Sequence, residues 1–374
     1  MGEWKEYKLG EIAEILDYKR KPLSSMQRSV RKGKIPYYGA SGIIDYIDDY
    51  IFEGEHVLIS EDGENLRSRQ TPIAFLADGK FWVNNHAHII KSDYIHNRLI
   101  CYYFSNLDLN PFLTGAVQPK LSQDSLKRIP IFLPQSIDDR KQIVSVISSL
   151  DDKIDLLYRE NKTLEAMAEV LFNKTLSDKE NNGTIEQFVS IQNGYAFKSK
   201  DFQEHGINGV IKIKNISGGV IDINKTDCIG SNIIQGISSK FKVHTGDILI
   251  AMTGAEIGKL GIIPSTNKNL WLNQRVGMLV ERYLGAKYIA YLQLKSDYGL
   301  DYVKNTATGS AQPNISSSAI ENCGFPLLDV SEIKVLAYQL EGLYEKIIHN
   351  LGHINGLKLL RNELLIKLMD SINL

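Results

Sequence analysis

His86 and His88 alternate along the run Asn84 to Ile90. On a strand, alternate residues share a face, so the two imidazoles have the spacing of a metal-ligand pair. No cysteine or carboxylate follows in phase with them, and the expectation is two polar surface histidines and no metal. Glu61, Asp62 and Glu64 come directly after an apolar run, a position that suits catalytic acids. Ser60 to Arg69 also contains Asn65, Arg67 and Arg69, and that mixture of amides and cations fits a solvated loop touching bases or phosphates better than an acid–base pair. The remaining catalytic signatures are absent: there is no phosphate-binding Gly-x-x-x-x-Gly-Lys-Ser/Thr loop, no Gly-x-Gly-x-x-Gly after a strand, no His-Glu-x-x-His and no Asn-Pro-Pro-aromatic amide-methylation motif. Asn110-Pro111-Phe112 lacks the second proline and reads as a turn.

Basic and amide groups are placed better. No acidic residue lies between Asp17 and Asp45, while Lys19, Arg20, Lys21, Arg28, Arg31, Lys32 and Lys34 supply seven positive charges. A flexible, unpaired run of this kind suits phosphate contact, and a solvated surface loop is the other reading. Gln118, Lys120 and Ser122 share one glutamine-proline turn, and Gln312, Asn314 and Ser316 share another. Gln and Asn can bond adenine at two atoms and Lys can bond guanine, so these are candidate base readers. Ser122 and Ser316 are equally suited to cap a following helix, and both roles are compatible. Tyr195, Phe197, Lys198 and Lys200 form an aromatic-basic loop of similar character.

Stepping along the chain shows what positions these groups, because the sequence is written twice. Gly54-Glu55-His56-Val57-Leu58-Ile59 returns as Gly246-Asp247-Ile248-Leu249-Ile250-Ala251, and Phe81-Trp82-Val83-Asn84-Asn85 returns as Leu270-Trp271-Leu272-Asn273-Gln274. Thr114 to Ser122 returns as Thr308 to Ser316, and the offsets run from 189 to 194. Each copy reads as short strands broken by Gly, Asn and Asp. In the first they are Ile35 to Tyr38, Val57 to Ser60, Pro72 to Leu76 and Ala87 to Lys91, then a helix from Tyr94 to Leu107. In the second they are Val210 to Lys214, Asp247 to Met252, Leu260 to Ile263 and Val276 to Val280, then a helix near Ala286 to Leu294. Each copy closes with a short apolar strand, Ile129 to Leu133 or Phe325 to Leu328, before a long helix. Asn181-Asn182-Gly183 marks the boundary between them.

The two long helices carry matching seams. Ile143, Ile147, Leu150, Ile154, Leu157, Asn161, Leu164, Ala168 and Leu171 alternate at steps of four and three. The same pattern returns 193 positions later as Leu336, Leu340, Leu343, Ile347, Asn350, Ile354, Leu357, Arg361 and Leu364. A stripe that narrow calls for a partner helix. Antiparallel pairing with Asn161 on Asn350 puts Leu157 on Ile354, Ile154 on Leu357 and Leu164 on Ile347, leaving Leu150 opposite Arg361 as a poor layer. Packing of each helix on its own globule is the alternative. The expected organisation is therefore α+β: a globule over 1–137, a helix over 138–177, a second globule over 178–330 and a second helix over 331–374. Antiparallel helices would relate the globules by a pseudo-two-fold axis, and a rod of roughly 55–60 Å would set them one to two turns of DNA apart at about 34–36 Å per turn.

The 374 residues are 43% hydrophobic and 23% charged, ordinary for a soluble globular chain large enough to bury proper cores. The longest apolar runs are too short to cross a bilayer, no signal peptide is visible, and Cys101, Cys228 and Cys323 are scattered. These features predict a cytoplasmic protein with no membrane partner. A net charge of −1 is poor for a protein that grips DNA unaided, so a nucleic-acid role would rest on local patches or on a partner's charge.

The chain resembles the DNA-specificity subunit of type I restriction-modification systems. The likeness is carried by Ile35 to Gly42, Leu58 to Asn65, Asn193 to Ser199, Gly254-Ala255 with Gly258, and both glutamine-proline turns. It covers nearly the whole chain, although the first copy has Tyr18 to Ser25 where the second has Gly194 to Ser199. The resemblance implies two β-rich target-recognition domains reading the halves of a split DNA sequence, spaced by the helices, in a non-catalytic subunit. It also implies two methyltransferase subunits that use S-adenosylmethionine, with or without two restriction subunits that use ATP and Mg²⁺, and no cofactor on this chain. A coiled-coil adaptor whose globules bind protein is the rival reading. The residues expected at DNA are Lys19, Arg20, Lys21, Arg31, Lys32, Asn65, Arg67, Arg69, Gln118, Lys120, Tyr195, Lys198, Gln312 and Asn314. Those expected between the helices are Ile147, Ile154, Leu157, Asn161, Leu164, Ile347, Asn350, Ile354 and Leu357.

Overall fold

The computed structural model describes residues 3–115, 118–309 and 312–370. Ala116, Val117, Ser310 and Ala311 of the two glutamine-proline motifs, and residues 371–374 assigned to the second helix, lie outside them. The chain divides into two compact units, Met1–Asp152 with Lys358–Leu374, and Lys153–Leu357. Each unit thus owns a globule and a stretch of both long helices, which run Ile137–Leu176 and Val330–Asp370.

The first unit is built on two four-stranded sheets. One has the order Glu14–Ile15, Ala87–Lys91, His56–Ser60, Ala74–Ala77 and is antiparallel throughout. The other has the order Gly42–Ile47, Lys32–Gly39, Lys80–Val83, Phe52–Glu53, with a parallel pairing of Tyr37 on Trp82. Strand His56–Ser60 is buried at every position, as an apolar run flanked on both sides requires. Helix Tyr94–Asn106 is capped by Asp93, which accepts from the His96 amide at 2.8 Å. Strand Trp4–Lys8 pairs with Pro130–Pro134 just before the first long helix.

The second unit repeats this plan. Strands Val189–Asn193, Val276–Glu281, Ile248–Ala251 and Leu260–Ile262 stand in the same order as their counterparts and extend into a six-stranded sheet. Val210 pairs in parallel with Trp271, as Tyr37 does with Trp82, and Gly183–Thr184 pairs with Gly324–Phe325 before the second long helix. The strand expected to reach Lys214 ends at Ile211, where a 3-10 turn over Ile213–Asn215 takes over. A further helix, Asp297–Thr306, follows Ala286–Lys295 directly.

The second long helix starts in a reciprocal cap: Asp329 Oδ1 accepts from the Glu332 amide at 2.8 Å, and Glu332 Oε2 from the Asp329 amide at 3.1 Å. Within the second unit the helices pair antiparallel in the expected register. Asn350 Nδ2 donates to Asn161 Oδ1 at 2.9 Å, and Ile154, Leu157, Ile354 and Leu357 form the layers beside it. Within the first unit Ile143 and Ile147 share a core with Leu365 and Leu368, and the feared poor layer is relieved because Arg361 donates to Asp151 at 2.8 Å. The stripe is wider than the seam suggested. Val144, Phe172, Ala337, Tyr344 and Ile348 are buried as well, because each helix also serves as a wall of its unit's core. Helix pairing and globule packing therefore both occur.

Three glycines interrupt the second helix, and they differ in their surroundings. A Cβ on Gly352 would lie 2.6 Å from Ser265 Cβ, whereas Gly342 and Gly356 have nothing within 4 Å. Gly342→Ala and Gly356→Ala are each expected to stabilise the protein by about 1 kcal/mol, seen as a higher thermal midpoint. Gly352→Ala should lower it, because the loop at Ser265 must retreat from the helix.

Candidate nucleic-acid interface

The two glutamine-proline turns are built alike. In the first, Leu113–Thr114 pairs with Lys120–Leu121, the Leu121 amide donates to the Glu61 carbonyl at 2.8 Å, and the Gly63 amide donates to the Pro119 carbonyl at 3.1 Å. In the second, Thr308 and Asn314 exchange two backbone bonds of 2.8 Å, the Ile315 amide donates to the Met252 carbonyl at 3.0 Å, and the Gly254 amide donates to the Pro313 carbonyl at 2.8 Å. Gly115 and Gly309 turn the chain at φ 85° and 95°, where a Cβ would fall 2.2 Å from the Gln118 carbonyl oxygen and 2.8 Å from that of Gln312. Ser122 and Ser316 cap the helices that follow, accepting from the Ser125 amide at 3.1 Å and the Ala319 amide at 3.2 Å. Both turns are pinned at their base and expose Gln118 and Lys120, or Gln312 and Asn314. An exposed amide or ammonium on a fixed backbone is the arrangement base reading needs.

The basic stretch near the N-terminus is folded, and four of its seven cations are paired. Ser24 caps helix Ser25–Ser29 and Lys32–Gly39 is a strand. Arg20 bonds Glu61 at 2.5 Å and lies 3.4 Å from Asp17, Arg28 and Lys32 meet Asp45 at 3.1 and 2.8 Å, and Arg31 meets Asp48 at 2.9 Å and Asp49 at 3.2 Å. The acids were hidden by sequence distance: Gly42–Ile47 folds back on Lys32–Gly39 and returns them alongside. Lys32, then the Tyr46 amide and Arg28, hold the Asp45 carboxyl down to about 2. Lys19, Lys21 and Lys34 stay exposed and, among the described residues, face no carboxylate.

The run after Ser60 is also more internal than its composition suggested. Asn65 exchanges bonds with Thr71, and Arg69 reaches the carbonyls of Phe104, Ser105 and Leu107 at the end of helix Tyr94–Asn106. Arg69 is thus a helix C-terminal cap. Arg67 is exposed, 3.5 Å from the Gly115 carbonyl of the first turn. In the second unit Tyr195 stands half exposed over Phe197 and Phe241, while Phe197 is buried and Lys198 and Lys200 remain in solvent. Lys240, Lys242 and His244 line a cleft with Gln192 and Lys287. Asp247 and Glu281 line the same cleft, which is therefore of mixed charge.

The histidines correct the sequence reading. His86 is exposed and bonds Asp62 at 2.9 Å, but His88 is buried, with Nδ1 2.5 Å from Asp17 and Nε2 2.8 Å from the Leu121 carbonyl. Glu61 is buried too, not solvated. Its carboxylate and that of Asp17 come from other segments, so no phase along the strand revealed them. Asp17, Glu61 and His88 place ligand atoms within 4.8 Å of one another, yet a metal would have to displace a hydrogen-bond partner of His88 and compete with the cations that face Glu61. Both ring nitrogens are engaged and the Glu61 oxygens face Arg20 and Lys120. Burial pushes the Glu61 carboxyl up, but the Arg20 hydrogen bond, the His88 charge and Lys120 together hold it below the usual range.

A model of the type I restriction modification DNA specificity domain matches residues 1–166 and again 177–358. The chain belongs to that family. A putative type I restriction enzyme specificity subunit of Haemophilus influenzae is 40% identical over 149 residues, which cover 40% of this chain and 37% of that protein. The MjaIX specificity subunit of Methanocaldococcus jannaschii is 23% identical over 98% of this chain and 95% of its own. The crystal structure of the type I restriction-modification S subunit from M. genitalium has the same fold, with a TM-score of 0.62 at 13% identity over 97% of this chain and 95% of that one. Type I specificity subunits are non-catalytic. Among the described residues no helix is long and apolar enough to cross a membrane.

Proposed function

We propose that this chain reads a split sequence in double-stranded DNA, one half with each unit, and scaffolds the catalytic subunits of a type I restriction-modification complex. The observation that carries this reading is the twofold construction of one turn, pinned by equivalent backbone bonds and tipped with Gln118 and Lys120 in one unit and Gln312 and Asn314 in the other. Different side chains on the same frame would read different bases. Arg67, beside the first turn, and the exposed Lys19, Lys21, Tyr195 and Lys198 would add phosphate and stacking contacts. Arg20, Arg31, Lys32, Asn65 and Arg69 would hold the frame, with Arg31 and Lys32 keeping part of their surface toward solvent.

The chemistry would lie with partners: two methyltransferase subunits using S-adenosylmethionine to modify an adenine in each half, and, where restriction accompanies modification, two restriction subunits using ATP and Mg²⁺. The complex would work in the cytoplasm. A net charge of −1 leaves little for the chain to hold DNA with alone. The test is DNA binding by this chain with and without methyltransferase subunits across a salt series. Tight binding only in the complex, weakening steeply with salt, is expected. Salt-insensitive association, or none, would favour an adaptor whose globules bind protein.

A further inference from the structure

The two turns share a backbone frame but are held by different chemistry. Equivalent bonds align the units residue by residue. The Glu61 amide donates to the His86 carbonyl as the Met252 amide does to the Arg275 carbonyl, at 2.9 and 3.0 Å. His88 pairs with Ile59 as Gly277 pairs with Ile250. Asp17, which opens the 3-10 turn just after strand Glu14–Ile15, bonds His88 at the place where Asn193 pairs with Gly277. Asp17, Glu61 and His88 of the first unit therefore correspond to Asn193, Met252 and Gly277 of the second.

In the first unit this set grips the turn. His88 Nε2 faces a carbonyl that can only accept, so it carries a proton and donates to Leu121 at 2.8 Å. Its Nδ1 is fixed by Asp17, whose other oxygen accepts from the Ile89 amide at 2.9 Å. Glu61 spans the two sides, with Oε2 on Arg20 at 2.5 Å and Oε1 on Lys120 at 3.2 Å, while Arg20 also reaches the Ala87 carbonyl at 3.1 Å. The exposed ammonium of Lys120 is thus tethered to a buried carboxylate, beneath a carbonyl held by a buried imidazole. In the second unit a Cβ on Gly277 would lie 2.9 Å from Met252 Sδ and 2.8 Å from Ile191 Cγ2. Sulfur and methyl fill the space that the imidazole fills in the first, and Asn314 stands where Lys120 does, with Met252 in the place of Glu61.

We propose that Glu61 and His88 are positioning residues for the first recognition turn, so that selectivity for one half of the DNA target depends on a buried ion network and selectivity for the other half does not. This rests on the two-half reading above. The network aims the Lys120 ammonium while leaving its outer face free for a base edge, and the second turn gains its rigidity from backbone bonds and apolar packing.

The test uses the full chain assembled with methyltransferase subunits, on duplexes whose target is varied one base pair at a time, with methylation read by sequencing. Glu61→Gln and His88→Leu should relax discrimination in one half by roughly five- to hundredfold, the span of a lost base contact, and leave the other half unchanged. His88→Gln, which can send an amide N–H to the Leu121 carbonyl, should restore most of the selectivity. Thermal unfolding of the same complexes separates positioning from folding. If discrimination is unchanged in both halves while total methylation and the melting midpoint fall, the network is merely structural and the proposal is overturned. Equal relaxation of both halves overturns it too. If the unaltered chain directs methylation to no split target, the two-half reading itself fails and takes the proposal with it, an outcome visible before any variant is made.

Discussion

Leucine in place of Asn350 alone is expected to destabilise the chain by about 1–3 kcal/mol, although leucine is the better helix former. Asn350 is fully buried and its amide nitrogen donates to Asn161 at 2.9 Å and to Glu160 at 3.0 Å. Removing it strands the Asn161 amide between aliphatic layers, where Asn161 Nδ2 already has no protein partner among the described residues. Replacing Asn161 and Asn350 together should reverse the loss, since Leu157 and Ile354 in the next layer show that an apolar pair fits this seam. Urea unfolding of the two single variants and the double variant closes the cycle. A coupling of at least about 1 kcal/mol is expected for contacting residues. Additive losses would mean that the two amides are not energetically paired.

Alanine at both Gln312 and Asn314 is expected to change which DNA is methylated while leaving the protein folded. The turn is held by backbone bonds, with Asn314 and Thr308 exchanging two at 2.8 Å and Pro313 accepting from Gly254, so deleting two exposed side chains removes reading groups and keeps the frame. Each bidentate amide contact is worth about 1–3 kcal/mol of discrimination, and losing two should relax or abolish one half of the recognised sequence. Methylated sites in cells carrying the variant are the readout. An unchanged motif would remove these two residues from base reading and leave them as turn surface.

Much of the fold was legible because it is encoded by local periodicity and by repetition. The seam asparagines made helix direction and register legible, since antiparallel pairing buries amide on amide and in-register parallel pairing buries each amide on an aliphatic side chain. The capping serines Ser122 and Ser316 were legible for the same local reason. What escaped was set by long-range pairing. Arg28, Arg31 and Lys32 looked like a free cationic run until a returning strand and the residues just after it supplied Asp45, Asp48 and Asp49, and Arg20 looked equally free until the fold brought Glu61 to it. His88 looked like a surface histidine because its partners, Asp17 and the Leu121 carbonyl, lie 71 and 33 positions away. Arg69 looked like a phosphate ligand because nothing nearby announces the end of helix Tyr94–Asn106 that it caps. Charge in a sequence shows what a residue can bind, and the fold decides whether that capacity is already spent.

Adenine methylation mapped across the genome of a host, with this chain present and then deleted, tests the reading most directly. A single split motif, modified on both strands, should vanish with the chain while every other methylated motif persists. A methylation map identical in the two strains, in a host whose methyltransferase partner is expressed, would contradict it.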